Sequence, residues 1–101
     1  ARGLAIELAA TGVTVNSLLP GPTRTEGVVT FLAQLAKEGN KTVEEVERDF
    51  FATARPSSLI RRFADPEEVA NMAVYLCSDR ASATTGAAIR VDGGVVSAIV
   101  P

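Results

Sequence analysis

Histidine and tryptophan are absent from these 101 residues, cysteine and tyrosine occur once each, and aromatic residues make up only 5%. Without histidine, Ser-His-Asp and Cys-His catalysis, most zinc sites and any imidazole base are excluded. The lone Cys77 cannot form an internal disulfide, and no residue spacing suits a metal, so no metal site is expected. Cys77 falls in an apolar helical stretch, which predicts a buried, inert thiol compatible with a reducing cytoplasm. The eight glycines nowhere give G-x-G-x-x-G or a P-loop. With a net charge of −2 and only Arg61-Arg62 as an adjacent basic pair, the chain lacks the clustered cations of a nucleic-acid binder. No apolar run approaches the roughly 20 residues that span a bilayer, and no signal segment opens the chain. It begins at Ala1, already inside a helix-like pattern, which predicts a truncated chain.

What is present is aliphatic: 47% of residues are hydrophobic, a composition suited to α/β layers buried on both faces. Residues 1–11 form a helix pattern with Leu4, Ala5 and Leu8 on one face, and Gly12 is placed to end it. Val13–Leu19 reads as a strand of mostly apolar, partly β-branched residues with Asn16 as the polar exception, and Pro20-Gly21 breaks it. Val28, Leu32, Leu35 and Ala36 then keep the spacing of one helix face, punctuated by Gly39-Asn40. Thr42 and Glu45 have the spacing of a capping box, followed by an apolar face of Val43, Val46 and Phe50. Glu44, Glu45, Glu47 and Asp49 are expected on a solvated face, and Lys37 and Lys41 in an ordinary polar loop.

After a break at Pro56-Ser57-Ser58, Asp65-Pro66-Glu67-Glu68 sets an N-cap, a first-turn proline and a capping glutamate in register. The helix Pro66–Cys77 is expected to bury Val69, Met72, Ala73 and Leu76, and Tyr75 to pack its ring rather than move a proton. Ser78–Gly86 reads as a loop or single 3₁₀ turn, Ala87–Val91 as a second strand, Asp92-Gly93-Gly94 as its end, and Val95–Val100 as an apolar tail. Two parallel strands need a helical crossover and do not make a stable sheet alone. The expectation is therefore one partial, Rossmann-like α/β domain over residues 1–101, the edge of a larger doubly wound sheet.

The loop Pro20–Thr25 is the best candidate site. It leaves the carboxyl end of a strand, where open α/β sheets bind ligands, and precedes a helix N-terminus that favours anions. A plain turn in which Thr25 caps the next helix is the competing account. Phe31, Leu32, Phe50 and Phe51 admit two roles as well, lining an apolar pocket or packing a helix core.

The segments ARGLAIELAATGVTVNSLLPGPTRT and FADPEEVANMAVYLCSD…ASATTGAAIRVDGG resemble the later part of short-chain dehydrogenases/reductases, in the family's order and over nearly the whole chain. The resemblance implies that Val13–Leu19 is the sixth strand of the family's parallel sheet and Ala87–Val91 the seventh. It places the family's catalytic Tyr-x-x-x-Lys about two to three helical turns before Ala1. No catalytic residue is therefore expected within the chain. Tyr75 is no substitute, because Asp79 stands where lysine would be needed.

The resemblance further implies that Pro20, Gly21, Thr23 and Thr25 meet the nicotinamide end of NAD or NADP: Thr23 through its main chain, Thr25 through its hydroxyl. Isoleucine or valine is commoner where Thr23 stands. Val28–Phe63 would close over a small carbonyl or alcohol substrate. Pro66–Cys77, Ala87–Val91 and the tail would build a homo-oligomer interface, in a dimer or tetramer. The family's Gly-rich cofactor loop, its cofactor-selecting residue and its catalytic serine have no counterpart here, so NAD and NADP are not distinguished. Residues 1–101 by themselves are expected neither to turn over nor to bind a dinucleotide. A non-enzymatic oligomerisation or binding module is the alternative.

Overall fold

The computed structural model describes residues 1–99; the last residue of the expected tail, Val100, lies outside the described residues. The elements run α1 (Arg2–Glu7), β1 (Ser17–Pro20), α2 (Glu26–Glu38), α3 (Val43–Thr53), α4 (Pro66–Leu76), a 3₁₀ turn (Asp79–Ala81) and β2 (Ala88–Val91). They divide into two compact units, one of residues 1–20 and 67–91, the other of residues 21–66 and those from Asp92 onward.

In the first unit, β1 and β2 pair in parallel with Ser17 opposite Ala88 and Pro20 opposite Val91. This is the expected α/β arrangement of two parallel strands joined by a helical crossover. β1 is shifted from the expected Val13–Leu19. Residues 15 and 16 run beside the second strand segment, but side chains make part of their pairing. The Val15 N–H donates to Thr85 Oγ1 at 3.1 Å. Asn16 Nδ2 donates to the Thr84 carbonyl at 3.0 Å while its Oδ1 accepts from the Ala87 N–H at 3.1 Å. The polar exception in the strand thus extends the ladder by one residue through its amide.

α1 stops at Glu7 rather than at Thr11. The Thr11 hydroxyl and N–H both take the Leu8 carbonyl, at 2.6 and 3.2 Å, and Ala10 turns to φ +62° before Gly12 at +85°. A local side-chain donor thereby competes with the helix ladder for the Leu8 carbonyl. Ala5 is buried, but Leu4 is exposed.

α4 corrects a second expectation, because none of its residues is fully buried. Val69, Met72, Ala73 and Leu76 do share one half-buried face. Two four-residue strands offer too narrow a surface to cover them. An open groove of about 330 Å³ remains, lined by Thr14, Val15, Asn16, Leu18, Ala73, Leu76 and Cys77. Cys77 is exposed, not buried, since it follows the last helical residue at the mouth of that groove. Tyr75 is 45% exposed, its hydroxyl 3.4 Å from the Arg80 carbonyl, so its ring packs only in part.

The second unit holds the hydrophobic core: Leu32, Ala36, Val46, Phe51 and Phe63, with Val28, Val43 and Phe50 packed against it. Leu32 and Phe51 are core residues, whereas Phe31 is 56% exposed, which separates the two roles left open by the sequence. Phe51, not Phe50, is the fully buried member of the pair. Both rings reach Phe63, with centroids 5.0 and 5.1 Å from it, so adjacent positions on α3 share one aromatic cluster. Leu35 is exposed at the margin of the α2 face.

The start of α3 and the end of α2 follow the capping signals. The Thr42 side chain accepts from the Glu45 N–H, and Glu45 reaches back to the Thr42 N–H. α2 ends at Gly39, with Asn40 at φ +51° and the Lys41 N–H donating to the Ala36 carbonyl at 2.9 Å. Asn40 supplies the left-handed turn there.

Candidate functional site

The loop from β1 to α2 is fixed residue by residue. Pro20 ends β1, where a missing N–H costs the ladder nothing further. At Gly21 a Cβ would stand 2.6 Å from the Asp92 Cα and 2.8 Å from its carbonyl oxygen, so only glycine fits. Asp92 is itself held, its Oδ1 accepting from the Gly94 N–H at 3.0 Å and its Oδ2 from the Val96 N–H at 3.1 Å. Gly93 and Gly94 both have positive φ, the turn expected at the end of β2.

Beyond Gly21 the chain forms a parallel bridge between Thr23 and Ala64. The Ala64 N–H donates to the Pro22 carbonyl at 2.9 Å, and the Arg24 N–H donates to the Ala64 carbonyl at 2.8 Å. The Thr23 hydroxyl donates to the Gly21 carbonyl at 2.8 Å, and the Thr23 carbonyl accepts from the Thr25 N–H at 2.9 Å. The Thr23 N–H meets no acceptor among the described residues. The Thr25 Oγ1 accepts from the Val28 N–H at 3.3 Å and so caps α2, which leaves its own O–H to donate.

Sequence reading missed the charged residues that brace this loop. Arg24 Nη2 lies 2.9 Å from Glu47 Oε1, its Nε 3.8 Å from Asp65 Oδ1, and its guanidinium carbon 5.9 Å from the Phe63 ring centroid. Glu47 Oε1 also accepts from the Phe63 N–H at 3.2 Å. Glu47 is therefore not on a solvated face as expected. Only 16% of its side chain is exposed, because Arg24 and the Phe63 amide cover it. Nothing in an acidic run marks one glutamate as bridging two distant segments.

Lys41 is also paired, at 2.8 Å from Asp49, and that hydrogen bond together with the carboxylate charge raises its pKa. Among the described residues no three His, Cys, Asp or Glu side chains converge as a metal site, and no helix is long and apolar enough to cross a membrane. The chemistry available in the loop is hydrogen-bond donation to a polar ligand.

A family model described as enoyl-(acyl carrier protein) reductase matches residues 1–96. The uncharacterized oxidoreductase YvrD of Bacillus subtilis (strain 168) is 46% identical over 98 residues, 97% of this chain and 37% of that protein. The A-factor type gamma-butyrolactone 1'-reductase (1S-forming) of Streptomyces virginiae is 42% identical over 93 residues, 92% of this chain and 32% of that protein. Among solved structures, L-sorbose reductase from Gluconobacter frateurii, complexed with NADPH and L-sorbose, superposes with a TM-score of 0.81 at 33% identity. That match covers 97% of this chain and 36% of the reductase. The chain thus spans about a third of the length of these relatives and corresponds to their carboxyl-terminal part. With its two parallel strands, its helical crossover and a family match over almost all of its residues, the chain belongs to the short-chain dehydrogenase/reductase family.

Proposed function

We propose that the chain acts as the nicotinamide-side segment of an NAD- or NADP-dependent oxidoreductase that interconverts a carbonyl and an alcohol. The observation that carries this reading is the Thr23 N–H, a donor without an acceptor among the described residues, flanked by bonded Pro22 and Thr23 carbonyls and by bonded Arg24 and Thr25 N–H groups. A carboxamide offers an oxygen acceptor of the right kind. The residues present therefore fit the nicotinamide end of the cofactor, which when bound supplies or accepts the hydride.

In this reading the Thr23 amide donates to the carboxamide. The Thr25 hydroxyl donates to the carboxamide or the pyrophosphate while its lone pair continues to cap α2. Pro20 and Gly21 give the loop its stiffness: Pro20 fixes one backbone angle, and Gly21 admits the close approach of Asp92. Holding these donors in place beforehand lowers the ordering cost of binding. α2 and α3 form the wall that closes over a small-molecule substrate. α4, Ala87–Val91 and the tail meet another subunit of a cytoplasmic homo-oligomer. The proton-transferring residues of the reaction belong to chain outside residues 1–101.

The test follows the Thr23 amide by ¹⁵N NMR in the full-length oxidoreductase bearing this segment. NADH or NADPH should shift that resonance, whereas ADP-ribose, which lacks the nicotinamide ring, should leave it in place. Residues 1–101 alone should show no saturable response to either ligand. A Thr23 resonance indifferent to the nicotinamide ring removes the reading.

A further inference from the structure

We infer that Arg24 and Glu47 form a positioning clamp that aims the cofactor loop and couples it to α3. The inference rests on the nicotinamide reading above and adds residues that neither the motif nor the loop's own backbone bonds supply. Three observations carry it. Arg24 sits between Thr23 and Thr25, the two residues that the nicotinamide reading assigns as donors. Its backbone is tied to Ala64 by the bridge, and its side chain runs to Glu47 at 2.9 Å. Glu47 in turn accepts the Phe63 N–H, one residue before the other half of that bridge.

Loop, α3 and the Phe63–Asp65 strip are therefore joined through one carboxylate oxygen. An exposed ion pair does little, because water and salt screen it. This pair differs on the acidic side. The Glu47 side chain is only 16% exposed, so deleting Arg24 leaves a largely desolvated carboxylate with the Phe63 amide as its remaining donor. The guanidinium carbon also lies over the Phe63 ring, 5.9 Å from its centroid, and Nε approaches Asp65 at 3.8 Å. A flexible ammonium cannot reproduce that set of contacts at once.

The consequence is specific to one end of the cofactor. When the clamp is removed, the backbone bridge to Ala64 loses its side-chain support, and the Thr23 N–H is held less firmly where the carboxamide needs it. The adenine end, bound by other parts of the full-length protein, does not sense the change. Closure of α2 and α3 over substrate is then linked to nicotinamide seating, because Glu47 lies on α3 and Arg24 in the loop.

The experiment measures dissociation constants for NADPH or NADH and for ADP-ribose in the full-length oxidoreductase. Arg24→Ala should weaken the nicotinamide cofactor about tenfold, as expected for losing a charge-assisted hydrogen bond, and change ADP-ribose by less than about twofold. Arg24→Lys should restore part of the loss. If Arg24→Ala does not fold, Glu47→Gln serves instead, since it keeps an acceptor for the Phe63 N–H while removing the charge. It should lower the ratio of the two affinities in the same direction by a smaller factor.

Equal weakening of both ligands would mark a merely structural role and overturn the clamp, as would an unchanged ratio in the folded variants. A Thr23 resonance that answers to nicotinamide in the parent protein, with an unchanged ratio in the variants, overturns the clamp and spares the nicotinamide reading. A silent Thr23 resonance in the parent overturns both.

Discussion

Among the described residues, the first unit carries both strands yet buries only Ala5 and Ala81, while the second carries a single bridge and buries Leu32, Ala36, Val46, Phe51, Phe63 and Ala64. Parallel strands expose apolar side chains on two faces and unpaired groups at each edge, so they need layers around them. Two strands of four residues and a half-buried α4 do not supply those layers. The second unit needs less. α2 and α3 turn their apolar faces to each other, and Phe50, Phe51 and Phe63 fill the remaining space with rings about 5 Å apart. Secondary structure that defines a fold class and packing that holds a chain together reside here in different units.

The sharpest way to break that contrast is to remove one core side chain from each unit. Phe51→Ala should cost about 3–5 kcal/mol, the usual range for emptying a buried aromatic site. Hydrogen exchange of the α2 and α3 amides should accelerate accordingly. Leu76→Ala in the first unit should cost no more than about 1 kcal/mol, because Leu76 lines an open groove rather than a closed core. Equal losses in the two variants would mean that the first unit is as well packed as the second.

A smaller effect is expected at the start of the second unit. Gly21→Ala drives a methyl group against the Asp92 main chain, which cannot swing aside as a flexible side chain can. A cost of about 1–3 kcal/mol is expected from overpacking of this kind. It should be accompanied by faster exchange at the Gly94 and Val96 amides, which Asp92 accepts. A fully tolerated alanine would show that the Pro-Gly loop is softer than its contacts imply.

Local signals made much of this legible in the sequence. The Thr42–Glu45 capping box, the break at Gly39-Asn40, the 3₁₀ turn after Ser78 and the order of strands and helices all follow from chemistry within a few residues. Expectations failed where a distant partner decides. Asn16 reads as a flaw in a strand until Thr84 and Ala87 are placed beside it. Glu47 reads as one solvated acid among four until Arg24 and Phe63 arrive from 23 and 16 residues away. Periodicity gives the face of α4 but not how much surface covers it, which is also why Cys77 is exposed where an apolar helical stretch predicts burial. At the candidate site, motif and resemblance picked out Pro20, Gly21, Thr23 and Thr25, whereas the brace at Arg24 has no local signature.

The weakest effect lies on the connection between α2 and α3, where Lys41 meets Asp49 at 2.8 Å. The folded-state pKa of Lys41 is raised above its ordinary value of 10.5, chiefly by this hydrogen bond and then by the Asp49 charge. A raised lysine pKa means that the folded state holds the proton more tightly than the unfolded state. The stabilisation is therefore complete below the ordinary value and is lost as pH climbs through the raised one. Lys41→Met should lower the thermal midpoint slightly near neutral pH, and the gap to the parent chain should close only in strongly alkaline solution. Both side chains are about half exposed, so added salt should shrink the gap as well. A gap that instead widens with pH or withstands high salt would mean that the Lys41 stem, not its charge, supports the turn. The second unit would then rest on apolar packing even at its most polar corner.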